Sequence, residues 1–175
     1  MTIGKQIRRG LAPSCLLLAG FCLGADKPNH THHFSLPGKN DTYVEDGTEA
    51  TVNLSAAQSE GRVSVQDEYW PPGYKVQRHF HKKHAEIFYI VSGKVEWTVG
   101  GEAHVMGAGD MVYIPPNTVH TVKTVGNEEM RTLMIYEPGG YEDYQLNEVG
   151  YTKEQLKTPE VKAKLRKLGD FNVVD

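Results

Sequence analysis

From Tyr43 to Tyr136, apolar and polar positions trade places over short runs, and glycine or proline ends most of them. Residues 62–70 (Arg-Val-Ser-Val-Gln-Asp-Glu-Tyr-Trp) alternate, and residues 74–81 alternate less cleanly. Ile87-Phe-Tyr-Ile-Val91 runs into Ser92-Gly93, Lys94-Val-Glu-Trp-Thr-Val99 follows, and Gly100-Gly101 makes the next reversal. Residues 103–106, 110–114, 119–125 and 131–136 continue the series. A period of two puts successive side chains on opposite faces of a strand. Many short strands separated by glycine-rich turns predict an all-β sandwich or barrel. No long amphipathic helix interrupts them, which argues against alternating α/β architecture. Trp70 and Trp97 read as strand packing, and Asp110, in the turn after Gly107, as a side chain bonded to backbone.

The pattern changes after Pro138-Gly139-Gly140. Thr152-Lys-Glu-Gln155 has capping-box spacing, and Thr158-Pro159-Glu160 offers a second helix start with proline at the first position. Val161, Leu165 and Leu168 then recur on one face, and Gly169 is placed to close the helix. Such a short helix is marginal alone and must lay its stripe on the β domain or a partner. Before the strands, residues 26–42 are polar and rich in turn formers, and read as an arm on the domain surface. The cluster His30-x-His32-His33 falls within it.

Residues 1–25 differ again. Lys5, Arg8 and Arg9 precede an almost wholly apolar run over residues 11–25, and Asp26 is the first acid. A basic start, an apolar middle and small residues at the exit predict a cleaved secretory signal peptide. The apolar run is shorter than the roughly 20 residues a spanning helix needs, and Pro13 interrupts it, so no stable membrane span is expected after cleavage. The chain thus divides into a signal peptide (1–25), an N-terminal arm (26–42), a β domain (43–145) and a C-terminal helical tail (146–175). The expected destination is secreted or periplasmic.

Removing the leader changes the chemistry available. It takes away Lys5, Arg8 and Arg9 and no acid, moving the formal charge from −3 to −6. A chain this acidic has no general attraction for nucleic acid. Cys15 and Cys22, the only cysteines, also lie in the leader. The mature chain therefore has no disulfide, no thiolate nucleophile and no cysteine ligands.

Imidazoles and one carboxylate remain. His79 and His81 share a strand face, with Phe80 opposite. After the turn at residues 82–85, Glu86, Phe88 and Ile90 share a face of the next strand, and pairing across this hairpin would set Glu86 beside the two histidines. His120 is a fourth donor. Three imidazole nitrogens and one carboxylate suit a divalent transition metal, and iron, manganese, nickel, cobalt and zinc are all compatible. Up to two positions would stay open for water, a small-molecule substrate or dioxygen. His84, in the turn, reads as facing solvent, with the pocket rim as the alternative. Tyr74, Phe88, Tyr113, Met134 and Tyr136 are candidates to line an apolar pocket around the ion, with core packing as the competing role.

Two segments carry a family resemblance. Gly73-x5-His79-x-His81-x4-Glu86-x6-Gly93 resembles the first cupin motif at every fixed position. Gly109-x5-Pro115-x-Asn117-x2-His120 is similar to the second, with Asn117 at the family's glycine and Thr124 at its closing asparagine. Asparagine also tolerates a left-handed turn conformation. The resemblance covers roughly residues 55–140. It implies a double-stranded β-helix, the small jelly-roll barrel, with one metal ion held inside by His79, His81, Glu86 and His120. The segment from Leu133 to Gln145 further resembles single-domain cupins described as quercetin-dioxygenase-like. That implies a metal-dependent dioxygenase acting on a phenolic or enol-bearing small molecule, with Glu86 both ligating the metal and accepting the substrate's hydroxyl proton. Other cupin chemistries use the same ligands: a lyase or isomerase with Tyr74, His84, Tyr113 or Tyr136 as base, and a non-catalytic secreted ligand-binding protein. A homodimer is expected by family analogy, since exposed sheet edges tend to pair.

Overall fold

The computed structural model of the protein describes residues 7–8, 32–45 and 47–174. Apart from Ile7 and Arg8, the expected signal peptide lies outside these residues, as does His30 of the arm. Among the described residues, twelve strands form two antiparallel sheets. The larger has the order β1 (Ile7–Arg8), β2 (Thr42–Glu45), β3 (Thr48–Leu54), β4 (Ser64–Trp70), β11 (Met130–Glu137), β6 (Ala85–Ser92), β9 (Met111–Ile114). The smaller runs β12 (Asn172–Val173), β5 (Lys75–Phe80), β10 (His120–Thr124), β7 (Lys94–Val99), β8 (Glu102–Gly107). This is the expected all-β jelly-roll architecture. Among the described residues, no helix is long and apolar enough to cross a membrane.

The period-two pattern decides what faces inward. On β11, Met130, Thr132, Met134 and Tyr136 are buried and the residues between them are less so. Phe88 and Ile90 of β6, Val95 and Trp97 of β7 and Trp70 of β4 meet them between the sheets. Each large aromatic removed from water contributes about 1.5–3 kcal/mol, so this layer is the main source of stability. Gly93 shows how tightly the chain turns between β6 and β7. Its φ is +78°, and a Cβ there would lie 2.7 Å from the backbone of Met130.

β4 also turns polar groups inward. Glu68 is 3% exposed and accepts hydrogen bonds from Trp70 Nε1 (2.6 Å), Tyr43 Oη (2.8 Å) and Gln145 Nε2 (2.7 Å). Burial raises its carboxyl above the ordinary value, despite those three donors. Gln145 belongs to α1 (Glu142–Glu148), a helix the sequence pattern did not predict. It ties the start of the tail to the sheet.

The predicted helix starts form where expected. Thr152 caps α2 (Lys153–Leu156) in a reciprocal capping box with Gln155, and the Thr158 side chain accepts from Val161 N at the start of α3 (Pro159–Leu168). The predicted stripe needs correction. Leu165 is buried but Leu168 is 40% exposed. The packed line runs Val161, Leu165, Gly169, four residues at a time. Gly169 ends α3 with φ −81° rather than a left-handed cap. Glycine is required there by space, since a Cβ would come 2.9 Å from the Tyr144 ring.

Candidate metal centre

His79, one residue before the end of β5, is the register partner of His120, which begins β10. Their rings lie 4.1 Å apart. His81 follows just beyond β5, where the chain leaves the smaller sheet. Glu86 then enters from the other sheet, on β6, which pairs with β11 and β9. The expected β5–β6 hairpin therefore does not form. Glu86 meets the histidines across the interior, because the four-residue turn switches sheets instead of reversing within one. One donor atom from each of His79, His81, Glu86 and His120 lies within 4.8 Å of all the others. None of the four residues is more than 4% exposed.

The hydrogen bonds behind the rings settle which nitrogen faces inward. His79 Nδ1 lies 2.8 Å from Gln77 O, and His120 Nδ1 lies 2.8 Å from Thr118 O. His81 Nδ1 lies 3.1 Å from both Gly169 O and Asp170 O. A carbonyl only accepts, so each Nδ1 carries the hydrogen and each neutral ring turns an Nε2 lone pair toward the centre. His120 Nε2 comes 2.9 Å from Glu86 Oε2, and His81 Nε2 comes 3.4 Å from Glu86 Oε1. These are close contacts without hydrogen-bond alignment, and His81 Nε2 and Glu86 Oε2 are buried with no hydrogen-bond partner. Orphaned buried polar atoms are costly. Here they converge with pinned tautomers, the arrangement that supports a metal-bound imidazole. The donor set of three nitrogens and one oxygen fits a divalent transition ion better than calcium or magnesium, which prefer oxygen.

The electrostatics agree. Burial, reinforced by His120 and His81, lowers His79 to about 3, so it stays neutral. Burial pushes the Glu86 carboxyl up, but His120 and His81 outweigh it and hold the group well below the usual carboxylate range. Burial lowers His81, yet Glu86 beside it outweighs that and raises the imidazole.

Other expected site residues divide. His84 does not face solvent. It is 7% exposed, its ring lies 4.2 Å from that of His81, and its Nε2 has no hydrogen-bond partner. Burial and His81 lower it to about 4. Tyr136 is buried 5.5 Å from His84 and stacks on Tyr141 at 4.5 Å. Phe88 and Met134 are core residues. Tyr74 lines a cavity of about 880 Å³ that also borders Glu68, Tyr141, Tyr144 and Gln145. Tyr113 is 56% exposed on the outer face of β9, so it cannot line the interior. Sequence reasoning missed Phe171, whose ring stacks on His79 at 4.0 Å and 16°. Nothing local marks it, because one aromatic after a helix carries no period.

Residues 67–136 match the sequence model of the Cupin domain family. The segment from Asp67 to Tyr136 is thus a cupin domain. An uncharacterized protein of Methanocaldococcus jannaschii is 35% identical over 79 residues, 45% of this chain and 63% of that protein. Quercetin 2,3-dioxygenase of Bacillus subtilis is 30% identical over 94 residues, 52% of this chain and 27% of that enzyme. Glucose-6-phosphate isomerase of Thermococcus kodakarensis is 40% identical over 83 residues, 43% of this chain and 44% of that enzyme. The chain thus spans less than two thirds of each of these relatives. Among solved structures, KdgF from Halomonas sp. superposes with a TM-score of 0.55 at 21% identity, covering 62% of this chain and 94% of that one. This likeness bears on the cupin fold alone. With relatives of such different activities, the cupin scaffold and its buried donors leave the reaction open.

Proposed function

We propose that this cupin is an exported metal-dependent dioxygenase acting on a phenolic or enol-bearing small molecule. His79, His81 and His120 would hold the ion through Nε2, and Glu86 through its carboxylate. A divalent transition ion there supplies a Lewis acid for a substrate oxygen and, if redox-active, a site for dioxygen. The observation that carries the substrate class is charge. Among the described residues no lysine or arginine is buried. Three neutral imidazoles and one carboxylate leave a divalent centre with one net positive charge. A singly deprotonated phenol or enol balances it. A dianion such as a sugar phosphate would leave that centre with a net negative charge, since Lys75, Lys123, Lys162 and Arg166 border the neighbouring cavity rather than the four donors. Phe171 against His79 and Trp97 near His120 add apolar surface beside the imidazoles. Similarity to the Bacillus subtilis quercetin 2,3-dioxygenase supports the same reading.

The substrate's hydroxyl proton has two acceptors here. Glu86 touches the centre but is a weak base while two histidines flank it. His84 offers an unpartnered Nε2 beside His81. That same nitrogen favours a second reading, a lyase or isomerase with His84 as base. An oxygen electrode separates the two. Protein loaded with iron, manganese, nickel or cobalt should consume oxygen with flavonols, simple phenols or enols, and His120→Ala should not. Anaerobic turnover of the substrate would replace the dioxygenase with the lyase or isomerase. Binding without turnover would leave a ligand-binding cupin.

A further inference from the structure

The segment after α3 is built into the metal centre from outside the cupin motifs. Phe171 lies flat on His79 and is itself 8% exposed. It also lines the 880 Å³ cavity beside Tyr144, whereas none of the four centre residues lines that cavity. The volume lies in the range of small-molecule sites, yet Phe171 stands between it and His79. The Gly169 and Asp170 carbonyls take the Nδ1 hydrogen of His81. The Asp170 carboxylate accepts from Lys82 N at 2.6 Å and Lys83 N at 2.7 Å, gripping the turn that carries His81 toward Glu86. Beyond it, β12 adds two residues to the edge of β5. The segment is held at the sheet edge by the Phe171 ring, the two-residue β12, single bonds from Asn172 Nδ2 to Phe80 O and from Val174 N to Arg78 O, the carbonyls on His81, and the Asp170 grip on the exposed Lys82–Lys83 turn, not by the layer between the sheets. Such elements open at lower free energy than the core.

We propose that Phe171 is a door between the cavity and the metal centre, and that Asp170 is its latch on the Lys82–Lys83 turn. Closed, the segment orients His81 and seals the imidazoles. Open, it lets a molecule in the cavity reach them. The door rests on the geometry of the described residues, and its link to a bound ion rests on the metal reading above.

The test uses the full chain and the variants Phe171→Ala, Phe171→Tyr, Asp170→Gly and Asp170→Asn. Asp170 has φ +48°, so glycine keeps its backbone conformation while removing the carboxylate with its bonds to Lys82 N, Lys83 N and Asn172 Nδ2. Metal-free proteins are treated with diethyl pyrocarbonate, and modified histidines are located by peptide mass spectrometry. Exposed His104 sets the reference rate. His79 and His120 should react on the order of tenfold faster in Phe171→Ala and Asp170→Gly, and near the parent rate in Phe171→Tyr and Asp170→Asn. Equal relative rates in all five proteins would overturn the door. Asp170→Gly, which removes no buried side chain, carries the test if Phe171→Ala does not fold. Cobalt(II)-loaded proteins are then mixed with a small chelator, and release should speed up in the same two variants. Faster modification in proteins that take up no cobalt would leave the door standing and overturn the metal centre instead.

Discussion

Replacing Glu86 by glutamine tests the centre most directly, because it keeps the shape and removes the charge. Glu86 is the only carboxylate in the cluster. The other buried glutamates are committed elsewhere: Glu68 to Trp70, Tyr43 and Gln145, and Glu142 to the backbone of Ala56 and Gly140. No second anion stands ready to take its place. A carboxylate oxygen about 2.1 Å from a divalent ion gains roughly 16 kcal/mol of gross attraction at an effective dielectric constant of about 20. Dehydration of both partners offsets most of that. Removing one member of a buried charge pair costs about 3–5 kcal/mol net. At about 1.4 kcal/mol per factor of ten, Glu86→Gln should weaken Kd by roughly two to four powers of ten. The assay is titration of metal-free protein with cobalt(II) against a chromogenic chelator. A Kd within about threefold of the parent would show that the carboxylate does not touch the ion, and the four-donor reading would fall.

Three further outcomes are expected. Gly93→Ala should cost about 2–4 kcal/mol in urea unfolding, because a Cβ would strike the Met130 backbone in a left-handed turn; a loss under about 1 kcal/mol would mean that the turn yields freely. Burial raises the Glu68 carboxyl above 4.5, so the folded state binds that proton more tightly than the unfolded chain. Its contribution is present below about 4.5 and is lost as pH rises through the folded value, so the unfolding midpoint of Glu68→Gln should gain on the parent across that window; a constant offset would refute the shift. His81→Ala and His120→Ala should each remove the bound metal equivalent measured by elemental analysis, and unchanged content in both would contradict the centre.

Much of the cluster could be read from the chain. The spacing of His79 and His81 implies a shared face, and both are buried on it. Glu86, Phe88 and Ile90 likewise point inward together. Thr152 and Thr158 mark helix starts because a side-chain oxygen answers backbone donors only a few residues away. These are local facts, and local periodicity encodes them. The same periodicity mistook the turn at residues 82–85 for a hairpin. A period of two says which side chains share a face, not which sheet the strand joins. Tyr113 shows the same limit: its outward face and 56% exposure follow from β9 being an edge strand beside β6.

The sequence by itself determined the strand-rich pattern, the four donors with their glycine framing, and the absence of cysteine beyond the expected leader. Only the tertiary structure decided that Glu86 meets the histidines from the opposite sheet, that His84 is buried, and that Phe171 covers His79 from some ninety residues away. The physical reason is range. Turn geometry, capping and face alternation depend on neighbours in the chain, whereas pairing between sheets and docking of a tail depend on which distant surfaces bury best against each other.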